Sequence, residues 1–423
     1  MTINIYAPTS QDTLSPDEMR LYHLIMDYRA DNGLAAIPLS ADLTLVAGRH
    51  TLDTTQNIWA AGLELPEGAN THSWSDAPYF SDHRDPSVMW EAPARLGTDY
   101  PGFGFEISGA GYRNIEAALV GWQTSAGHNA VILNQGIWAP SDWNAIGIGV
   151  ETNATPGGGG FGNFGGRIYH VWFGREVDDD VPTTLGTNAG ETIMGTRFDD
   201  AVLGQGGHDN ITGGDGDDLI EGGDGSDTIN GGNGDDMLTG GSSENDLRDV
   251  IYGGAGDDII DGGYGNDELR GDAGNDVIAG GFGADTVIGG VGNDTVTGSA
   301  LGDLLFGGDG NDFINGGFGF DRVNGGAGAD RFFHLGVADH GSDWIQDFSR
   351  AQGDVLVFGD SAATRDQFQI NAAVTAGAGE ADVAEAFVVY RPTGQIIWAL
   401  VDGMGQEAIN LQIGNGETFD VMG

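Results

Sequence analysis

An apolar residue recurs at every ninth position between residues 186 and 333, and this period dominates the chain. Sixteen copies of a nine-residue unit follow one another, and residues 213–221 give its clearest form, Gly-Gly-Asp-Gly-Asp-Asp-Leu-Ile-Glu. Position eight is apolar in all sixteen copies, position six is Asp in fifteen, and position four is Gly in twelve. Residues 240–252 form one copy with four extra residues. Three positions kept in phase over this length argue against a disordered Gly- and Asp-rich linker.

Each position of the unit predicts a local structure. Glycines permit positive φ and close backbone approach, so the first six residues can make a tight turn. The last three residues then form a short strand whose central side chain points inward. Two units, eighteen residues, make one coil, and stacked coils bury position eight between two parallel sheets.

The same stacking brings acidic side chains together. Residues 186–333 contain 29 acidic residues and five Arg. The Asp at position six lies above the one eighteen residues on, so Asp209 is expected above Asp227 and Asp218 above Asp236. Stacked carboxylates repel one another unless a cation lies between them. Carboxylates and turn carbonyls are hard oxygen ligands, which suit Ca²⁺.

The unit resembles the Gly-Gly-x-Gly-x-Asp-x-U-x calcium-binding repeat of RTX (hemolysin-type) proteins. The resemblance covers about a third of the chain and implies a right-handed parallel β-roll with rows of Ca²⁺ along both edges. It implies ligation by Asp and by carbonyls of the glycine turns. One implied row is Asp209, Asp227, Asp249, Asp267, Asp285, Asp303 and Asp321. The other is Asp200, Asp218, Asp236, Asp258, Asp276, Asp294, Asp312 and Asp330. The implied turn glycines are Gly214, Gly216, Gly223, Gly225, Gly232, Gly234, Gly254, Gly256, Gly263, Gly265, Gly281, Gly283, Gly308, Gly310, Gly317 and Gly319.

Three places depart from this pattern. The insertion around Ser242–Arg248 is expected to interrupt the first row. Residues 298–301, Gly-Ser-Ala-Leu, lack two turn glycines, and the opening copies have Ala189 and Phe198 where Gly is expected. These departures count against calcium sites there.

Residues 1–180 have a different period. Apolar residues at helical spacing predict three helices, and two apolar runs separated by a glycine-rich loop predict strands. The helices are expected from Ser15 to Gly33, from Ser40 along Leu43, Val46 and His50, and from Tyr112 to Gly127; the strands are Ile146–Val150 and Ile168–Gly174, and the loop is Thr155–Gly166. Helices followed by strands are typical of an α+β sandwich.

Several landmarks in this region follow a known order. They are Tyr28-Arg29 to Pro38-Leu39, Leu45–Asp53, His72-Ser73, Phe105-Glu106, Trp122–His128, Ile132–Asn134, Ile146–Val150 and Trp172–Gly174. This order resembles the short bacterial form of the CAP (SCP/PR-1-like) superfamily over about 160 residues. The resemblance implies an α-β-α sandwich.

In that superfamily two His and two Glu line a cleft, and some members bind a divalent metal there. His72 and His128 match the two His and Glu106 matches the first Glu, whereas the second Glu has no counterpart. The three residues suit Zn²⁺ with an open fourth position, or a hydrogen-bonded polar cluster without metal. His50, on an apolar helix face, is assigned to the core. The chain has no His-Glu-x-x-His helix, so the metalloprotease familiar beside RTX repeats is absent.

Residues 334–423 leave the nine-residue period. Strands are expected at Trp344–Phe348 and Asp354–Phe358, and a hairpin at Ala386–Tyr390 and Gln395–Val401. The Asp-x-Ile-x-Asp-Phe pattern resembles the segment that caps RTX rolls in secreted proteases. A cap would cover the open core of the last coil.

Composition restricts the partners and the compartment. The chain has no Cys and no Lys, and its formal net charge is −48, which disfavours nucleic acid and anionic membranes. No stretch reaches the roughly 18 apolar residues of a membrane span, and Met1 to Gln11 lacks the pattern of a cleavable signal. The RTX resemblance implies export by type I secretion machinery that reads an uncleaved C-terminal signal, and Phe419–Gly423 is similar to its terminal pattern. The chain is therefore expected to be secreted.

The predicted organisation is multidomain. It comprises an arm (1–12), a CAP-like α+β domain (13–178), a linker (179–185), an all-β parallel roll (186–333) and a β C-terminal cap with the secretion signal (334–423). The predicted function is a secreted protein in which several Ca²⁺ drive folding of the roll, and the CAP-like domain binds an extracellular lipid, glycan or cell-surface partner. One alternative is a metal-dependent hydrolase using His72, Glu106 and His128 with one Zn²⁺. The other is a structural surface-layer protein or adhesin.

Overall fold

The computed structural model describes residues 3–152, 154, 164–337 and 340–423. The chain divides into two compact units, Met1–Gly186 and Thr187–Gly423. Most of the expected glycine-rich loop, and the first two residues of the expected arm, lie outside the described residues. No described helix is long and apolar enough to cross a membrane.

The first unit contains helices and a small sheet. In chain order the elements are α1 (Pro16–Asp31), α2 (Ala41–Leu52), a π-helical segment (Asp53–Ala60), α3 (Ser87–Trp90), α4 (Ala92–Leu96), β1 (Phe105–Ala110), α5 (Ile115–Thr124), α6 (Ala126–Ile132), a 3₁₀ turn (Gly136–Trp138), β2 (Ala145–Glu151), a 3₁₀ turn (Phe164–Gly166), β3 (Ile168–Gly174) and β4 (Thr183–Leu185).

The sheet of the first unit is antiparallel, with the order β1-β3-β2. Every residue of the central strand β3 is buried. Apolar residues of α1, α5 and α6 pack with one set of sheet residues, and those of α2, α3 and α4 pack with another that includes Ala145 and Trp172. The unit is therefore an α/β fold in which helices pack with both of these sets of sheet residues.

The first two helices begin where the sequence predicts. Ser15 caps α1 in a reciprocal pair, because its side chain accepts from the Glu18 N–H and the Glu18 carboxylate accepts from the Ser15 N–H at 2.7 Å. Ser40 caps α2. The third prediction is wrong at its end: α5 stops at Thr124, and Gly127 lies inside α6. Ser125 leaves the helical conformation, and its carbonyl accepts from the Asn129 N–H to start α6.

The second unit is built mainly from two parallel sheets whose strands alternate along the chain. The first sheet contains β5 (Thr192–Met194), β8 (Asn210–Asp215), β11 (Thr228–Asn233), β13 (Val250–Ala255), β15 (Glu268–Ala273), β17 (Thr286–Val291), β19 (Leu304–Asp309), β21 (Arg322–Ala327) and β23 (Asp343–Ile345). The second contains β6 (Ala201–Leu203), β9 (Leu219–Glu221), β12 (Met237–Gly241), β14 (Ile259–Gly263), β16 (Val277–Phe282), β18 (Thr295–Ala300), β20 (Phe313–Asn315), β22 (Arg331–His334) and β24 (Val355–Phe358). Two short strands, β7 (Gly206–Gly207) and β10 (Asp224–Gly225), pair with each other.

This arrangement is a parallel β-solenoid, as the period predicts. Ile211 pairs with Ile229, and Ile229 pairs with Ile251, so position eight stays in register from coil to coil. All sixteen position-eight residues are 2% exposed or less and belong to one core. Burial of an aliphatic residue in every half-coil is the main apolar contribution to stability in this unit.

Five further strands follow the coils. They are β25 (Phe368–Ala373), β26 (Glu385–Tyr390), β27 (Gln395–Leu400), β28 (Asn410–Ile413) and β29 (Thr418–Asp420). The predicted hairpin is confirmed, because β26 and β27 pair antiparallel. β27 pairs with β23 and β28 pairs with β24, so both sheets continue past the last coil.

Candidate functional site

The position-six Asp side chains form two continuous hydrogen-bonded rows. Each of these carboxyls is 6% exposed or less. The Asp209 N–H donates to Asp227 Oδ1 at 2.8 Å, and the Asp276 N–H donates to Asp294 Oδ1 at 2.9 Å. The same contact recurs from coil to coil along both rows. The second row ends in the contact from Asp330 to Asp354. The predicted stacking of Asp209 on Asp227 and of Asp218 on Asp236 is confirmed.

The second carboxylate oxygen of these residues has no partner. Within the described part of the chain, Oδ2 is buried and unbonded in Asp209, Asp218, Asp227, Asp236, Asp249, Asp258, Asp267, Asp276, Asp285, Asp294, Asp303, Asp312, Asp321 and Asp330. An unsatisfied buried charged group costs more than about 1–3 kcal/mol. A row of such atoms calls for a positive partner.

The turn glycines leave the space in which such a partner would lie. A Cβ on Gly213 would lie 2.0 Å from Asp218 Oδ2. A Cβ on Gly214, whose φ is +132°, would lie 1.9 Å from the Thr196 carbonyl oxygen. The atoms facing these glycines are therefore carboxylate and carbonyl oxygens, which are the ligands that Ca²⁺ prefers.

Burial also changes the protonation of the rows. Burial, together with the neighbouring Asp200 and Asp236 carboxylates, raises the pKa of Asp218 to about 8, although the hydrogen bond from the Asp200 N–H lowers it. Burial likewise raises the pKa of Asp303 to about 8. A cation reverses this preference because it favours the ionised carboxylate.

The expected interruption of the first row by the insertion is wrong. The Asp227 N–H donates to Asp249 Oδ1 at 2.7 Å, and the Asp249 N–H donates to Asp267 Oδ1 at 2.8 Å. β11 and β13 keep the regular register on the two sides of the insertion. The extra residues therefore lie outside the hydrogen-bond ladder and do not interrupt it.

The other two departures have different outcomes. In residues 298–301, Ser299 and Leu301 adopt positive φ of 75° and 82°, so the turn forms without its glycines, and the Asp285 N–H still donates to Asp303. In the opening copies the Thr196 N–H donates to Asp200 Oδ2. That oxygen is therefore already occupied, which agrees with the expectation that the pattern weakens there.

A second candidate site lies in the first unit, around Glu106 on β1. Three imidazole rings contact its buried carboxylate, those of His50 on α2, His72, and His170 on β3. We call Glu106 and these three histidines the histidine cluster. His50 Nδ1 lies 2.7 Å from Oε1, and His72 Nδ1 lies 2.7 Å from Oε2. His170 Nδ1 also bonds Oε1. Both carboxylate oxygens are therefore occupied.

Burial and hydrogen bonding together set the electrostatics of the histidine cluster. His50 Nε2 lies 3.1 Å from the Ser73 carbonyl oxygen, so both of its ring nitrogens face oxygen atoms. Burial lowers the pKa of His170 to about 4, with the charge of His50 adding to the effect. Burial by itself would raise the pKa of Glu106, but the three rings hold it well below its usual range. The three rings thus stabilise the ionised form of the buried Glu106 carboxylate.

A cavity of about 390 Å³ opens beside this cluster. Its polar lining comes from His72, His83, Glu106, Ser125 and His128. Its apolar lining includes Met89, Trp90, Phe105, Ile107, Val131, Ile137 and Trp138. A mainly apolar cavity with a few convergent polar groups is the usual form of a small-molecule site.

The predicted cleft residues line one cavity, but their contacts differ from those expected. His72, Glu106 and His128 all line the cavity, but only His72 bonds Glu106. His128 Nδ1 is buried without a partner among the described residues, and burial, followed by the charge of His72, lowers its pKa. His50 is fully buried as predicted, yet it is also a member of the cluster. His170 was missed, although a lone ionisable residue in the apolar run Ile168–Gly174 was a signal.

The predicted zinc ligand set does not fit this arrangement. Both Glu106 oxygens accept from imidazole rings, two at Oε1 and one at Oε2, so the carboxylate holds the rings and leaves two imidazoles at the cavity. His50, Glu106 and His170 do place three ligand atoms within 4.8 Å of one another. However, their 2.7 Å contact is a hydrogen-bond distance, shorter than the roughly 3.3 Å between ligands implied by tetrahedral Zn–N bonds. The group is a hydrogen-bonded polar cluster.

Comparison with known families agrees with the geometry of the coils. The RTX calcium-binding nonapeptide repeat (4 copies) matches residues 185–220, 212–247, 248–269, 261–296, 270–305, 297–332 and 306–339. No curated protein matches the chain. The matched residues are those that carry the two Asp rows. The chain therefore contains RTX calcium-binding repeats, folded as a parallel β-solenoid.

Proposed function

We propose that this chain is a secreted calcium-binding protein in which Ca²⁺ drives folding of a right-handed β-roll that carries a ligand-binding, CAP-like N-terminal domain. The observation that carries the proposal is the series of buried Oδ2 atoms without partners. The calcium ligands are the Asp residues of the two rows and the carbonyls of the turn glycines.

Calcium-coupled folding follows from the electrostatics of the rows. Without a cation, closing each coil buries a charged oxygen or forces its protonation, and both oppose folding at neutral pH. Extracellular calcium modules bind with dissociation constants on the order of 10⁻⁴–10⁻³ M, far above the free Ca²⁺ of a cytosol. The roll then stays unfolded until it is exported, which suits type I secretion through a C-terminal signal and a terminal β cap.

The cavity supports a binding role for the first unit. Its apolar walls fit an acyl chain or an aromatic ring, and His72 and His128 fit a polar head group. The order of landmarks shared with the CAP superfamily agrees with this role. The proposed ligand is therefore an extracellular amphiphile, such as a lipid.

One observation favours a hydrolase as the second candidate. Glu106 fixes His72 through Nδ1, and no described residue bonds its Nε2, so this ring is held as a base at the cavity wall. Turnover of an ester by the full chain, lost in a His72→Ala/His128→Ala double variant, would favour the enzyme. Equal turnover in that variant would rule it out.

Calcium content and strand signal test the main proposal. The full chain would be refolded with Ca²⁺, with Mg²⁺ or with chelator at pH 7.5, washed, and measured by mass spectrometry and circular dichroism. We expect several Ca²⁺ per chain and a cooperative gain of strand signal with Ca²⁺ alone. Full strand signal in chelator with no calcium bound would contradict the proposal.

A cavity-filling variant tests the ligand role. Gly127 lines the cavity, and nothing lies within 4 Å of a Cβ built on it. We expect Gly127→Phe to abolish binding of a fluorescent fatty acid while the thermal unfolding of the first unit is unchanged. Val120→Phe, at an exposed position of α5, is the matched control. Equal binding by both variants would exclude this cavity as the site.

A further inference from the structure

We propose that the four-residue insertion builds a separate calcium site, in which Asp246 adds a second carboxylate to that of Asp249, and that this site fills before the others. The inference rests on the proposed calcium binding by the roll. Asp246 lies outside the nine-residue pattern, so no repeat position assigns it a role.

Asp246 is directed inward from a segment that otherwise faces solvent. Its side chain is 5% exposed and Asp249 is fully buried, whereas Ser242, Glu244 and Leu247 are exposed. Asp246 Oδ1 accepts from the Leu247 N–H at 2.9 Å. The described residues offer no partner to Oδ2 of Asp246 or to Oδ2 of Asp249. Two carboxylate oxygens are therefore buried without a partner in this turn, whereas a regular turn has one.

Adjacent glycines provide the space between these oxygens. A Cβ on Gly241 would lie 2.2 Å from the Gly223 carbonyl oxygen and 2.5 Å from Asp246 Oδ2. A Cβ on Gly240 would lie 2.4 Å from the Gly262 carbonyl oxygen and 2.2 Å from Asp249 Oδ2. Two carboxylates and two carbonyls thus line neighbouring positions of one turn, and all four donors are oxygens.

Contacts with the preceding coil hold the insertion in place. Asp224 accepts from the Ser243 hydroxyl and, at 3.3 Å, from the Asn245 amide. The Leu247 N–H donates to the Gly225 carbonyl at 2.7 Å, which ties the end of the insertion to the preceding coil. The insertion therefore loops out before Leu247 and returns to the ladder, and this path places Asp246 against the row.

The charges around the site are mainly negative. The carboxyls of Asp246 and Asp249 contact each other, and Asp227 and Asp267 flank them on the adjacent coils. Two carboxylates in contact need a shared proton or a cation between them. The nearby cation, Arg248, pairs with Glu268 at 3.0 Å. Because ligand charge tunes calcium affinity, this turn should bind more tightly than the others and start the ordering of the roll.

A calcium titration of the full chain against a chromophoric chelator tests the site. In the wild type we expect an early step of one Ca²⁺ per chain before the cooperative step. Asp246→Asn should weaken that early step by about tenfold or more and leave the later step in place. Glu244→Gln removes an exposed charge from the same insertion and should behave as the wild type.

Hydrogen exchange at limiting Ca²⁺ gives a second readout that does not depend on yield or refolding. In the wild type, residues 240–267 should gain hydrogen-exchange protection before the other coils. In Asp246→Asn they should gain it no earlier than the other coils. An early step that is unchanged in Asp246→Asn would overturn this inference alone. A wild type that binds no Ca²⁺ at all would overturn the proposed function with it.

Discussion

In the first unit the buried Glu106 carboxylate contacts three imidazole rings, so both of its oxygens are bonded within the protein. In the second unit the row Asp residues from Asp209 to Asp330 each bond one amide through Oδ1, and their Oδ2 has no partner among the described residues. Both units bury acidic groups in well-packed surroundings. They differ in the source of the group that stabilises the buried carboxylate. In the first unit it is the histidine side chains, and in the second it is a cation bound from solution.

This difference divides the chain into a part whose folding is independent of metal and a part whose folding depends on it. A buried charge is tolerated when a partner and hydrogen bonds offset its desolvation. The histidine cluster meets that condition by itself. The Asp rows meet it when a cation is bound, or when the carboxyls are protonated.

Removing calcium should have the largest effect. In excess chelator at pH 7.5 we expect residues 187–345 to lose hydrogen-exchange protection entirely, because every coil leaves a charge uncompensated. Residues 16–151 should keep theirs. Hydrogen exchange with mass spectrometry on the full chain measures both at once. Parallel loss of protection in the two regions would contradict independent compensation.

Acid should partly replace calcium. Burial raises the pKa of Asp209 to about 6 and that of Asp218 to about 8, so the folded, calcium-free roll binds protons more tightly than the unfolded chain. Its stability is fully present below the usual Asp pKa of about 3.9 and is lost as the pH rises through these values. Circular dichroism in chelator should show strand signal at pH 4 that disappears by pH 8. A signal that instead grows with pH would refute the assignment.

Glu106→Gln should strongly destabilise the first unit. Removing one partner of a buried charged network typically costs about 3–5 kcal/mol, and three imidazole rings contact the Glu106 carboxylate. Urea unfolding followed by tryptophan fluorescence suits this unit, which contains seven of the nine Trp residues.

Glu116→Gln is the control for that variant. It removes an exposed carboxylate that pairs with Arg20, for which about 0–1 kcal/mol is expected. Equal destabilisation by the two variants would mean that the histidine cluster contributes little.

Adding a single methyl group to a turn glycine should have the smallest effect on stability, and the size of this effect should differ between the two units. Ala at Gly214 would meet the Thr196 carbonyl oxygen at 1.9 Å in a positive-φ turn, and we expect more than about 1 kcal/mol of destabilisation. Gly33 also has positive φ but has nothing within 4 Å of a Cβ, so Gly33→Ala isolates the backbone cost of about 1 kcal/mol. Thermal unfolding in saturating Ca²⁺ compares them; equal shifts would show that the turn has room for a side chain.

Sequence alone predicted most of the second unit, because its structure is local and periodic. The inward aliphatics and the stacking of Asp209 on Asp227 follow from a spacing of eighteen residues. The path of the insertion does not follow from spacing. Asp246 turns inward because Ser243 and Asn245 bond Asp224 on the preceding coil, and no period encodes that contact.

The candidate site of the first unit was only partly predictable. Family resemblance indicated His72, Glu106 and His128, which all reach the cavity. The rings that bond Glu106 alongside His72 are His50 and His170, on α2 and β3. Three distant segments must pack before these side chains meet, so neither helical nor strand periodicity reveals the contact.

The ladder of amide-to-carboxylate contacts makes each coil interchangeable with its neighbour. The contact from Asp258 to Asp276 repeats between Asp276 and Asp294 at nearly the same distance. Insertion or deletion of one regular eighteen-residue coil therefore keeps the same amide-to-carboxylate contact at each remaining boundary. Recombination between repeats can lengthen or shorten the roll, and adjust how many cations it takes up, without redesigning a contact. The Glu106 network, whose members each occur once, permits no such change.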